Sequence, residues 1–138
     1  MSEPEVGEDA RRLLGREIDS IEKLELLFLA WSDQARTWTT AAAAERLRLP
    51  ADAVATAADE LASSGMLIRV GETYRLAGAA GPNAASVDAL CRLYDADRLL
   101  VLKVMTSLAM DRIRSSAARV FADAFRFRKD PGKGGSDA

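Results

Sequence analysis

Apolar residues along the first half of this chain recur first at steps of three and four, then at steps of two. Ile21, Leu24, Leu27, Phe28 and Trp31 make one stripe of a helix running from about Ser20 to Trp31. Asp19 followed by Glu22 has the spacing of a capping pair at its start. Thr37-Trp38-Thr39 suits a very short strand, after which Thr39 or Thr40 offers a cap oxygen to a second helix over residues 41–48. Leu49-Pro50 closes that helix and opens a third, Pro50 to Ser64, with Val54, Ala57, Ala58 and Leu61 inward and Gly65 at its end. From Met66 to Leu76 the period becomes two. Pairing Val70 with Tyr74 and Ile68 with Leu76 predicts a hairpin closed by Gly71-Glu72-Thr73, with Arg69 opposite Arg75 on the outer face.

Beyond a small-residue connector at 77–82, Asn83 or Ser86 can cap a helix of more than six turns through Val87, Leu90, Tyr94, Val101, Met105 and Leu108. A break is expected between Ala109 and Arg114, followed by a last amphipathic helix to about Phe127. Upstream, Leu13 and Leu14 support only a short helical turn over 10–16, bent at Gly15, behind an acidic tail. The resulting division is a flexible N-terminal segment over 1–16, a first domain over 17–77, a C-terminal helical dimerisation region over 83–128 and a disordered tail over 129–138.

Composition narrows the chemistry. At 138 residues the chain encloses one ordinary core, and abundant alanine with 6% aromatics favours closely packed helices. A formal charge of −2 means that any contact with a polyanion must come from a local patch. The chain contains no histidine, and its single cysteine, Cys91, has Leu90 and Leu93 as neighbours, so it reads as a small buried hydrophobe. Without nucleophile and base pairs, a Cys/His metal set or a phosphate loop ahead of a helix, the expectation is no enzyme, no metal and no cofactor. The lack of a signal segment or a spanning apolar run leads us to expect a cytoplasmic protein without a membrane role.

The order helix, short strand, helix, tight corner, helix, hairpin resembles the winged-helix fold of bacterial transcription regulators, including the multiple-antibiotic-resistance regulator type. Thr40, Ala44, Leu47, Leu49, Val54, Leu61, Gly65-Met66-Leu67 and Tyr74 carry the likeness. The resemblance implies a mainly α protein: a winged helix-turn-helix with long C-terminal helices, whose third helix enters the major groove of duplex DNA. Here that helix offers Asp52, Thr56, Asp59 and Glu60, so Thr56 is its one candidate base contact and three acids oppose phosphate. Arg36, Arg46, Arg48, Arg69 and Arg75 are the candidate backbone contacts. The alternative is a winged helix that docks another protein through the acidic third helix or the Phe127 region.

Leu99-Leu100-Val101-Leu102 and Val104-Met105 make the long helix apolar around most of its girth, and Leu99, Val101, Leu102 and Met105 are the candidate homodimer contacts. The segment Phe121 to Lys129 resembles the ending of small bacterial winged-helix proteins. Trp31, Tyr94 and Met105 mark where a helical cavity could admit a small apolar ligand.

Overall fold

The computed structural model describes residues 6–129. They form six α-helices and a small antiparallel sheet in the order α1 (Glu8–Arg16), α2 (Ile21–Ser32), β1 (Trp38–Thr39), α3 (Thr40–Leu47), α4 (Ala51–Ser63), β2 (Leu67–Val70), β3 (Thr73–Leu76), α5 (Ala84–Ala96) and α6 (Arg98–Lys129). A single 3-10 turn, Gly78–Ala80, links β3 to α5. Residues up to Met105 group as one compact unit, and those from Thr106 onward group as another.

The core of the first unit is built from Leu14, Ile18, Leu24, Leu27, Val54, Leu61, Leu90, Tyr94 and Val101, all essentially without exposed surface. α1 is longer than the short turn expected: it runs through Gly15, buries Ala10, Leu13 and Leu14, and lies against α5. At α2 the cap is Ser20 rather than Asp19, its hydroxyl accepting from the Lys23 amide at 3.2 Å. This frees the Asp19 carboxylate for the Lys23 ammonium at 2.9 Å. The expected stripe shifts with it, because Ile21 is 48% exposed while Leu26, Leu29 and Ala30 are buried. A helix touching α3, α4, α5 and β3 must be apolar on more than one face.

Thr39 caps α3 by accepting from the Ala42 amide. α3 ends at Arg48, which is left-handed at φ 59°, and the chain turns at once into α4 with Pro50 as its cap residue. The sheet order is β1-β3-β2, with Trp38 opposite Tyr74 and Leu67 opposite Leu76.

The hairpin register differs from the expected one. Val70 pairs with Thr73 and Arg69 with Tyr74, so the loop is the two residues Gly71-Glu72. The pattern of Ile68 and Val70 suggested a face that the core does not use. Leu67, Tyr74 and Leu76 are the inward set, and Val70 is 50% exposed. Gly71, at φ 64°, supplies the positive dihedral that a two-residue loop with glycine first demands.

The long helix also breaks elsewhere than expected. The chain interrupts it at Asp97, between α5 and α6, and continues without a break through residues 109–114. Asp97 leaves helical geometry at φ −150° and ψ 80°, and its carboxylate accepts from the Leu100 amide at 3.2 Å, starting a new helix. At the start of α5, Asn83 holds the cap position at φ 62° without a side-chain cap bond, and Ser86 lies inside the helix. Lys129, expected in the tail, is the last residue of α6, and the rest of that tail lies outside the described residues.

Candidate functional site

The residues singled out from the sequence fall into three places. Arg46 and Arg48 are exposed at the end of α3, beside the corner into α4, and neither guanidinium has an ion-pair or hydrogen-bond partner among the described residues. Arg36 stacks over Trp38 at 3.8 Å from the ring centre, and it lines the same shallow concavity as Arg46, together with Asp33 and Glu45. Thr56 is exposed on α4.

The hairpin arginines separate. Because the register places Arg69 opposite Tyr74, Arg69 and Arg75 lie on opposite faces and do not confront each other across the strands. Arg69 donates through Nε to the Gly71 carbonyl at 3.0 Å, lies 5.7 Å from the Tyr74 ring centre and sits 3.9 Å from Asp59. Arg75 donates to the Leu76 carbonyl at 3.3 Å. The expected placement of Arg69 opposite Arg75 on the outer face is therefore not found.

The acids of α4 are also not all presented outward alone. The Tyr74 hydroxyl donates to Asp59 at 2.6 Å, which together with burial pushes the Tyr74 phenol above its usual range. Glu60 receives the Lys23 ammonium at 2.7 Å. Burial opposes charge on Lys23, but its bonds to Glu60 and Asp19 outweigh burial and hold its pKa above the ordinary lysine value. Lys23 also donates to the Glu17 carbonyl, so one side chain joins the turn before α2 to α4. Among the described residues Asp52 bonds only the neighbouring Ala53 amide, and it remains the outward acid at the start of α4. Sequence reading missed Lys23 as a partner of this helix. Its place three residues past the Ser20 cap gave no sign that it reaches a residue 37 positions downstream.

A second polar cluster lies across α2, α5 and the start of α6. The Tyr94 hydroxyl donates to Glu25, and Arg98 sits 3.4 Å from Glu25 and 4.7 Å from the Tyr94 ring centre. Burial, then the bond to Glu25, pushes the Tyr94 phenol well above its usual range. Phe28 meets Tyr94 edge to face at 5.1 Å. Tyr94 and Met105 are buried in the core. A cavity of about 350 Å³ lies beside Trp31, Met66, Leu76, Pro82 and Val87. Trp31 donates there to Asp88, whose other oxygen accepts from Arg92. These bonds, the one from Arg92 first, hold the Asp88 carboxyl below its usual range.

The candidate dimer residues divide as well. Val101 and Met105 are buried within their own unit, Leu102 is half-buried and Leu99 is 63% exposed. Burial, then the nearby Asp88 charge, pushes the Cys91 thiol up to about 12, so it stays a thiol at neutral pH. Among the described residues no group of three or more Cys, Asp or Glu side chains is placed to hold a metal, and no helix is long and apolar enough to cross a membrane. No family model, no curated protein and no solved structure matches this chain.

Proposed function

We propose that α2 to β3 form a winged helix-turn-helix and that the protein is a DNA-binding regulator gripping the duplex backbone at the corner between α3 and α4. The observation that carries this reading is the engagement of two of the three acids of α4 by partners of the same chain. With Glu60 bound to Lys23 and Asp59 bound to Tyr74 beside Arg69, the repulsion expected from three acids falls mainly to Asp52. Arg46 and Arg48 stand exposed at the adjoining corner, and Thr56 faces outward one turn into α4. Two such cations suit phosphate oxygens, which position a protein on DNA without reading its sequence.

A second reading, docking of a protein partner, draws on the hairpin, where Arg69 is engaged by its own chain and Arg75 lies on the other face. Anisotropy of a labelled mixed-sequence duplex, titrated at about 50 and 200 mM salt, separates the two readings. DNA binding requires affinity that falls steeply with salt. Replacing Arg46→Ala and Arg48→Asn, the latter tolerant of left-handed backbone, should flatten the log–log salt slope by about 2. No binding at the lower salt overturns the DNA reading and leaves the docking one.

A further inference from the structure

The half of α6 beyond Met105 displays a seam whose geometry is that of a helix pair. Met110, Ile113, Ala117, Val120 and Ala124 follow one another at alternating steps of three and four, the spacing of coiled-coil contact positions, with Phe121 beside Val120. Met110 is 50% exposed, Ile113 63%, Val120 66% and Phe121 73%, and Ile113 to Ala124 border one shallow apolar concavity. That is on the order of 500 Å² of apolar surface, at the upper end of what a monomer usually shows, and two copies facing each other would hide about 1,000 Å², where specific interfaces begin.

Charge argues for which partner covers it. Between Thr106 and Lys129 stand Arg112, Arg114, Arg119, Arg126, Arg128 and Lys129 against only Asp111 and Asp123. At 100° per residue, Arg112 and Arg119 fall on the side away from the seam. Arg114, which borders it, is paired with Asp111 at 3.1 Å. An anionic membrane or acidic partner would be met by cations flanking the apolar face. This seam is uncharged from Met110 to Ala124, which suits a partner with an equally uncharged stripe.

We infer that the seam is covered by a second copy of this chain, the two helices running antiparallel about Ala117. That arrangement sets Met110 against Ala124 of the other copy and Ile113 beside Phe121, and the two Ala117 residues allow close approach at the centre. Arg114 comes alongside Val120 and Phe121 at the edge of the seam. A parallel pair would align each arginine with its own copy and bring like ends of the two helix dipoles together. This inference is independent of the DNA reading and of Leu99, Val101, Leu102 and Met105.

Sedimentation equilibrium of the full chain should give twice its 14.9 kDa mass, with association tightening as salt screens the repelling arginines. Ile113→Asp and Val120→Asp, both at exposed positions, should each weaken association about a hundredfold or more while leaving the circular dichroism spectrum unchanged. Oxidation should cross-link Ala117→Cys to itself and Met110→Cys to Ala124→Cys in a mixture, but not Ala124→Cys alone. A monomer at every concentration, a dimer indifferent to both aspartates, or self-cross-linking of Ala124→Cys overturns the proposal. Capture by phosphatidylglycerol vesicles in place of self-association also overturns it.

Discussion

Lys23 shows how one buried cation shapes an exposed face. Only 11% of its side chain is exposed, yet the carboxylates it joins, Asp19 and Glu60, are about half exposed at 49% and 54%. Removing the ammonium therefore strands no buried charge, because water can rehydrate both acids, and the large penalty of breaking a buried pair does not arise. The aliphatic stem matters more. Lys23→Met, which keeps that stem, should change unfolding free energy by no more than about 1 kcal/mol in a urea titration. On the DNA reading it also leaves Glu60's charge uncompensated on the exposed face of α4, so duplex affinity at low salt should drop while stability holds. A loss above about 3 kcal/mol would mean that the pair behaves as fully buried. Periodicity put Glu60 correctly on a helix and on its outer side. It could not supply the partner, because a side chain's reach to another helix depends on packing rather than on local pattern.

At the scale of elements, the joints decide more than the segments they connect. Gly65, at φ 85°, ends α4, and a Cβ there would lie 2.7 Å from Cγ of Pro82, in the connector before α5. Gly71, at φ 64°, has open space around the same position. Gly71→Ala thus incurs only the left-handed backbone cost, about 1 kcal/mol, whereas Gly65→Ala adds a collision and should cost about 2–3 kcal/mol. The collision is with one ring, so Gly65→Ala should be partly rescued by Pro82→Ala, with a coupling of about 1 kcal/mol in a double-mutant cycle. Additive effects would place the cost in the backbone alone. The helix ending at Gly65 was legible because glycine is the usual left-handed terminator. Arg48 performs the same turn without being glycine, and Pro50 two residues on is the one local hint of it. Asp97 was missed for a similar reason: an aspartate inside an apolar helical run reads as a surface residue until its carboxylate is seen capping Leu100. The hairpin's existence was legible from its period. Its register was not, since Leu67 and Ile68 offer equally apolar faces one residue apart and the tight Gly71-Glu72 loop chooses between them.

For the molecule as a whole, the groups with displaced protonation give a signed dependence of stability on pH. Burial carries Cys91 from its usual 9.0 up to about 12, and Tyr74, Tyr94 and Lys23 are likewise raised. Above pH 9 the unfolded chain releases a Cys91 proton that the folded chain retains, so the folded state binds more protons and stability falls as pH rises. The tyrosines join this trend above about pH 10, and Lys23 joins it as pH climbs past its ordinary lysine value. The acid limb has the opposite sign: Asp88 is lowered, so its contribution is present above its unfolded value near 3.8 and is lost as pH drops below it. Thermal unfolding should therefore be flat from about pH 6 to 8.5. It should then decline, with Cys91 alone contributing about 1.4 kcal/mol per pH unit between pH 9 and 12. Cys91→Ala discriminates the cause. It leaves a small void and should start about 1 kcal/mol less stable at pH 7, but it lacks the titrating thiol, so its alkaline decline should be shallower and the two curves should converge near pH 10. Parallel curves for the two proteins would show that the alkaline limb belongs to the tyrosines and Lys23, and that the Cys91 thiolate is tolerated in the folded core.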